Sequence, residues 1–338
     1  MIKKRLVWID VLRLIGIIGV ILIHIVSNTM ETFGGLSDNA HKFYVFIHFL
    51  FEFSVPLFIM ISGMMFLKKK DITFKEMFKK YILKIILIIL VFGTGMILME
   101  EVFINKNVSL ELFKKVIIRL LEGDIWAHMW YLYLILGLYL ITPAFILITN
   151  NIKEKEYKIF LVILFSLTIL LSLLNSVFKV NIAFNMINIS GYIFYYLYGH
   201  FLYSYTISNK FKVLNYILAF LGIIYTIYRA STYNSLDYIY GYTTIVPCVL
   251  ASSLVLLLKD RDIKLKINNI INNIGICSLG IYIIHQFFIN IIYKVLKFDL
   301  IVSYPYIGLI IYLIVIFLCS YVTTYLLRKI KFVREYFL

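Results

Sequence analysis

Charge is scarce in this chain. Of its 338 residues only 15% are Asp, Glu, Lys or Arg, while 62% are hydrophobic and 17% aromatic. A soluble domain carries about a quarter charged residues. This much apolar side chain has no place inside one globular core, so lipid must solvate it. Cysteine is equally sparse. Cys248, Cys277 and Cys319 lie far apart inside apolar runs, with neither C-x-x-C spacing nor histidine neighbours. They read as small packing residues, and no metal is expected. Low-complexity linkers and any soluble appendage are also lacking, so residues 1–338 read as a single membrane domain. The first apolar run, Leu6 to about Asn28, does not have the form of a signal peptide. It is too long, no small-residue cleavage pattern follows it, and it holds Asp10 and Arg13. It reads as a first transmembrane helix that is retained.

What the chain does have is a series of apolar runs. They fall at roughly 6–28, 43–67, 81–99, 128–149 and 157–177, then at roughly 186–205, 211–228, 240–258, 272–295 and 306–327. In hydrocarbon every backbone amide must be paired within the protein, so continuous apolar runs of about twenty residues must be helices. Alternating strands of a β-barrel are excluded. The expected fold is an all-α integral membrane protein, a bundle of about ten transmembrane helices. The net charge of +15 comes from Lys and Arg placed almost entirely between the runs. That placement fits loops facing an anionic leaflet and membrane lipids as partners, and it speaks against nucleic acid. The N-terminus, the alternate loops 68–80, 150–158, 205–212 and 259–271, and the C-terminus hold 22 of the 33 cations; the opposite loops hold 9. Both termini are therefore expected in the cytoplasm. The heavy use of Ile, Lys and Asn suggests a bacterial source, hence a multi-pass protein of the bacterial plasma membrane. The 100–127 loop carries apolar residues at helical spacing over Leu110–Leu121, with Lys114, Lys115 and Arg119 between them. This fits an amphipathic helix on the outer surface, although a plain connecting helix is the favoured expectation.

Ionisable groups inside spans are costly, about 2.5–3.5 kcal/mol each on insertion scales, and so point to function. The first run carries Asp10, Arg13 and His24. Arg13 and His24 are eleven residues apart, about three turns, which places them on one helix face about 16 Å apart. Asp10 and Arg13, three apart, can pair. In the second run, Pro56 predicts a kink, and Ser62–Gly63 a close helix approach. Glu52 either orients a histidine or reaches interfacial water. His48 and His128 fall at depths comparable to His24; Trp130, Tyr131 and Tyr133 match an aromatic belt as well as a site. Tyr282 and His285 share a face of the ninth run.

Four stretches then bring a family into view. The Arg13–His24 pair makes an R-x10-H motif, and SVPLFIMISG covers Ser54–Gly63. HMWYLYLILGLYLITP covers His128–Pro143, and SLGIYIIHQFF covers Ser278–Phe288. In this order they resemble the helix signatures of the membrane acyltransferase-3 family. The resemblance implies ten helices that move an acyl group, commonly acetyl, from cytoplasmic acyl-CoA to a hydroxyl outside, such as that of a cell-surface glycan. It makes His24 the catalytic base or transient acyl carrier, with Arg13 holding the donor on the same face. Lys68, Lys69, Lys70, Lys79, Lys80 and Lys84 are expected to attract coenzyme A phosphates, although positive-inside topology alone also accounts for them. The third-helix entry departs from the family pattern, with lysines where arginines are expected. Glu52, His128, Trp130, Tyr133, Tyr282 and His285 are the expected acceptor contacts. No fused extracellular hydrolase-like domain is expected from residues 1–338, so a second transfer step is expected to need another protein. The rival reading is a carrier or flippase for a small polar solute or lipid-linked sugar, which mid-span histidines and an arginine also suit.

Overall fold

The computed structural model describes residues 6–33, 35–69, 72–106, 109, 111–171, 173–174, 190–232, 241–259, 261 and 268–338. Among these, every regular element is a helix. In chain order they are α1 (Val7–Thr32), α2 (Asp38–Phe51), α3 (Ser54–Phe66) and α4 (Phe74–Phe103). Next come α5 (Leu112–Glu122), α6 (Trp130–Asn151), α7 (Glu154–Phe165), α8 (Ser190–Ser204), α9 (Asn209–Thr232) and α10 (Ile245–Leu258). The last are α11 (Asn268–Val295), α12 (Leu300–Ser303), α13 (Pro305–Leu327) and α14 (Lys331–Tyr336).

Counting α2 and α3 as one crossing, seven of these helices are long and apolar enough to span a membrane. They match seven of the ten expected runs. The other three are α7, α8 and α10, and parts of their expected spans at 172, 175–189 and 240 lie outside the described residues, as do Lys3, Lys4 and Arg5.

The chain forms two compact units, Met1–Lys68 with Ile152–Tyr321, and Lys69–Asn151 with Val322–Leu338. In the first, α1 packs on α2, α3 and α11, and α3 packs on α8. Two thirds of the most apolar stretch of α1 and of α11 is buried, against 22% for α9. The pair α1–α11 is therefore core, while α9 turns Phe220, Leu221 and Ile224 outward, as a helix solvated by lipid should. The α3–α8 contact is close because a β-carbon on Gly63 would strike the Tyr196 carbonyl, and one on Gly199 the Met60 carbonyl. Small residues let membrane helices approach in this way.

Pro56 was expected to kink the second run, and the break falls upstream of it, at Glu52–Phe53. Proline lacks the amide that would bond the carbonyl four residues earlier, and its ring crowds that carbonyl. The helix therefore restarts at Ser54, with Pro56 in its first turn.

In the second unit, α4 begins at a capping box. Thr73 Oγ1 accepts from the Glu76 amide at 3.2 Å, and Glu76 Oε2 accepts from the Thr73 amide at 3.4 Å. This corrects the expected 68–80 loop: Lys79 and Lys80 ride on the first turns of α4. Three stretches of this helix, Phe78–Ile82, Ile89–Gly93 and Glu100–Ile104, wind in wider i→i+5 turns. The amphipathic helix expected at Leu110–Leu121 is α5, ended by Gly123 in the left-handed region at φ 73°. Arg119 holds it. Its guanidinium bonds Glu101 at 3.1 Å, Glu100 at 3.2 Å and the Asp124 carbonyl at 2.9 Å, while Lys115 reaches Glu101 at 2.7 Å.

Candidate active site

The site is built on α1, α2, α3 and α11. His24 and His285 sit mid-helix on α1 and α11, and their rings meet with centroids 5.2 Å apart and planes inclined at 47°. His285 is fully buried, and its Nδ1 lies 2.6 Å from the Tyr282 carbonyl oxygen. A carbonyl can only accept, so Nδ1 carries the proton in that bond. The basic nitrogen of a neutral His285 is then Nε2. The Tyr282 ring stands 6.0 Å from the His285 ring. Taken as a whole residue, His24 is half-buried.

A third imidazole, His48, is carried by α2. Its Nδ1 lies 3.9 Å from Glu52 Oε1, beyond hydrogen-bond range. Glu52 is only 5% exposed and sits at the helix break, next to His48.

One turn from His24, Asn28 Nδ2 donates to the His24 carbonyl at 2.8 Å. Gln286 Nε2 donates to Asn28 Oδ1 and to Asn290 Oδ1, both at 3.4 Å. The next step out is Thr29, whose hydroxyl lies 2.7 Å from the Tyr293 hydroxyl. Sequence reasoning missed these amides. The available signal was i, i+4 spacing, from His24 to Asn28 and from Gln286 to Asn290.

Toward the other end of α1, Arg13 Nη1 bonds Asp10 Oδ1 at 2.9 Å. Asp10 is buried, and Arg13 remains a quarter exposed. Lys68 lies over the Tyr203 ring at 4.7 Å, and Tyr203 stacks on Trp8.

The remaining expected contacts belong to the second unit. Lys69 Nζ lies 2.8 Å from the Tyr81 hydroxyl and 4.5 Å over its ring. Lys80 pairs with Glu76 at 3.4 Å, Lys79 is exposed and Lys84 half-buried. Lys70 lies outside the described residues. His128 is buried in the turn before α6, Trp130 sets its ring edge-on to Tyr131, and the Tyr133 hydroxyl donates to the Leu120 carbonyl of α5 at 2.5 Å. His24, Glu52, Tyr282 and His285 are thus gathered in one unit, and His128, Trp130 and Tyr133 belong to the other.

A cavity of about 490 Å³ also lies in the first unit, among α7, α8, α9 and α10, with Phe165, Tyr198, Leu214 and Cys248 in its walls. Neither His24 nor His285 lines it. Among the described residues no three His, Cys, Asp or Glu side chains converge as metal ligands.

A bundle of membrane-length helices makes this a multi-pass membrane protein, and two of its most deeply packed long helices, α1 and α11, set one imidazole against another. Over residues 6–328 the chain matches the acyltransferase-3 family, an acyltransferase domain, and it belongs to that family. It is a membrane acyltransferase. No curated protein and no solved structure matches the chain.

Proposed function

We propose that this acyltransferase is an O-acetyltransferase of the bacterial plasma membrane. Acetyl-CoA on the cytoplasmic side is the donor, and a hydroxyl of an extracytoplasmic glycan is the acceptor. The observation that carries this reading is the contact between His24 and His285, on a face that also bears Arg13.

Acyl transfer to a hydroxyl needs a group that takes the hydroxyl proton as the C–O bond forms, or one that first carries the acyl group itself. Neutral His24 can do either. In the first route the acceptor oxygen attacks the thioester carbonyl while His24 Nδ1 or Nε2 takes its proton. The C–S bond then breaks, and the proton passes on to the departing thiolate. In the second route the imidazole displaces coenzyme A, forms an acyl-imidazole and hands the acyl group to the hydroxyl. His285, with Nδ1 tied to Tyr282, offers Nε2 as the adjoining base in both routes.

Arg13 and Lys68, both of the first unit, are the proposed phosphate contacts of the donor. Lys68 presently engages the Tyr203 ring, which a phosphate would have to displace. Glu52, Tyr282 and His285, all of the first unit, are the proposed acceptor contacts.

The test is consumption of radiolabelled acetyl-CoA by protein in liposomes, wild type beside His24→Ala. The reading expects label loss in the wild type and none above background in the variant. Equal loss in both would remove His24 from the chemistry. No loss in either, with glycan acceptors present, would turn the reading to a carrier.

A further inference from the structure

The amides beside the histidines have a fixed direction. The His24 carbonyl can only accept, so the NH2 group of Asn28 must face it, and Asn28 Oδ1 must face Gln286. Gln286 therefore turns its own NH2 toward Asn28, and the same nitrogen serves Asn290 Oδ1. Reversing any one amide would set two donors or two acceptors against each other. The consequence falls on the other end of Gln286. Its Oε1 is buried and meets no donor among the described residues, although the side chain is only 5% exposed. Buried carbonyls of this kind normally have a partner.

We propose that Gln286 Oε1 is a binding point for a neutral hydroxyl of the acceptor, held in place by Asn28 and Asn290. The assignment rests on the acyl-transfer reading for its biological meaning, and on the amide geometry for its chemistry. A lone carbonyl oxygen takes a hydrogen-bond donor, so it suits a hydroxyl and not the carbonyl of a thioester. The three side chains of the ladder are all uncharged amides, which match a polyhydroxyl better than a phosphate or carboxylate. The ladder also starts on the turn after His24, and Gln286 directly follows His285 in α11. A hydroxyl bonded there is held between α1 and α11, the two helices that carry the imidazoles.

The experiment uses the full chain in nanodiscs, with glucose, galactose, mannose, N-acetylglucosamine and glycerol as probes. Thermal unfolding against probe concentration gives half-saturation, and hydrolysis of acetyl-CoA gives its KM in the same preparation. Gln286→Met should weaken the best probe at least tenfold while leaving the acetyl-CoA KM within twofold. If Gln286→Met does not fold, Gln286→Asn decides, because it withdraws the oxygen by one methylene and keeps the amide; the same tenfold loss is expected.

Unchanged half-saturation in the Met or Asn variant, or no probe bound by the wild type, overturns the proposal. Probe binding that depends on Gln286, with no His24-dependent use of acetyl-CoA, would sustain the hydroxyl subsite and sink the acyl-transfer reading alone.

Discussion

Gly275 of α11 lies so close to Asp10 of α1 that a β-carbon on the glycine would strike the carboxylate. Asp10 in turn holds the Arg13 guanidinium at 2.9 Å. The position of Arg13 is thus set from a helix that does not carry it. Gly275→Ala must push the carboxylate aside, and overpacking of this kind costs about 1–3 kcal/mol. If about 1.4 kcal/mol of that falls on the guanidinium's hold on the donor, the apparent KM for acyl-CoA rises about tenfold. Steady-state kinetics on the variant, with kcat little changed, checks this; an unaltered KM would detach Arg13 from donor binding.

His285 should matter to turnover more than to binding. A positioned base contributes about 10²–10⁴-fold to proton transfer. His285→Phe, which keeps a ring in the buried site, is expected to lower kcat within that range and to leave the acyl-CoA KM near wild type. The same rate as wild type would mean that His24 works without its neighbour.

The Glu101–Arg119 pair is buried, at 2% and 11% side-chain exposure. Removing Arg119 leaves the buried Glu101 carboxylate to Lys115 alone of the two cations that hold it, and breaking a buried pair costs up to about 3–5 kcal/mol. Arg119→Met should therefore lower the unfolding temperature in detergent and open the α5 segment to protease. The double variant Glu101→Leu with Arg119→Met should recover most of that loss, since a well-packed apolar pair often replaces a buried ion pair without penalty. A double variant as unstable as the single one would show that the charges do more than hold α5.

Two glycines on membrane-length helices offer a contrast. Gly63→Ala drives a methyl into the Tyr196 backbone, which cannot yield as a side chain can, and should leave little folded protein. Gly137 of α6 meets nothing within 4 Å of an added β-carbon. Gly137→Ala should fold normally and gain up to about 1 kcal/mol of helix propensity. Size-exclusion profiles of the two variants test the pair directly.

What the sequence made legible was local. Run length and apolar continuity located the long helices, and i, i+3 spacing placed Asp10 against Arg13 and Tyr282 beside His285. Apolar residues at helical spacing in 110–121 marked α5. What it hid was the meeting of helices distant in the chain. Nothing in the spacing of His24 or of His285 says that α1 and α11 are neighbours, so the facing imidazoles and the Asn28–Gln286 bond could not be read from either helix alone. The Arg119 anchor was hidden for a related reason. Its carboxylates lie on the last wide turn of α4, where a mixed-charge stretch reads as an ordinary loop.

The wide turns of α4 carry a consequence for anyone mapping this protein by mutation. Each one accommodates a residue beyond the ordinary turn, and one residue is worth about 100° of rotation. Sensitivity along Phe74–Phe103 should therefore not repeat with a single period. A residue-by-residue scan should show the sensitive positions slipping in phase at Phe78–Ile82, again at Ile89–Gly93 and again at Glu100–Ile104. Positions that a uniform helical wheel assigns to the lipid side in one part of α4 will then belong to its packed side in the next.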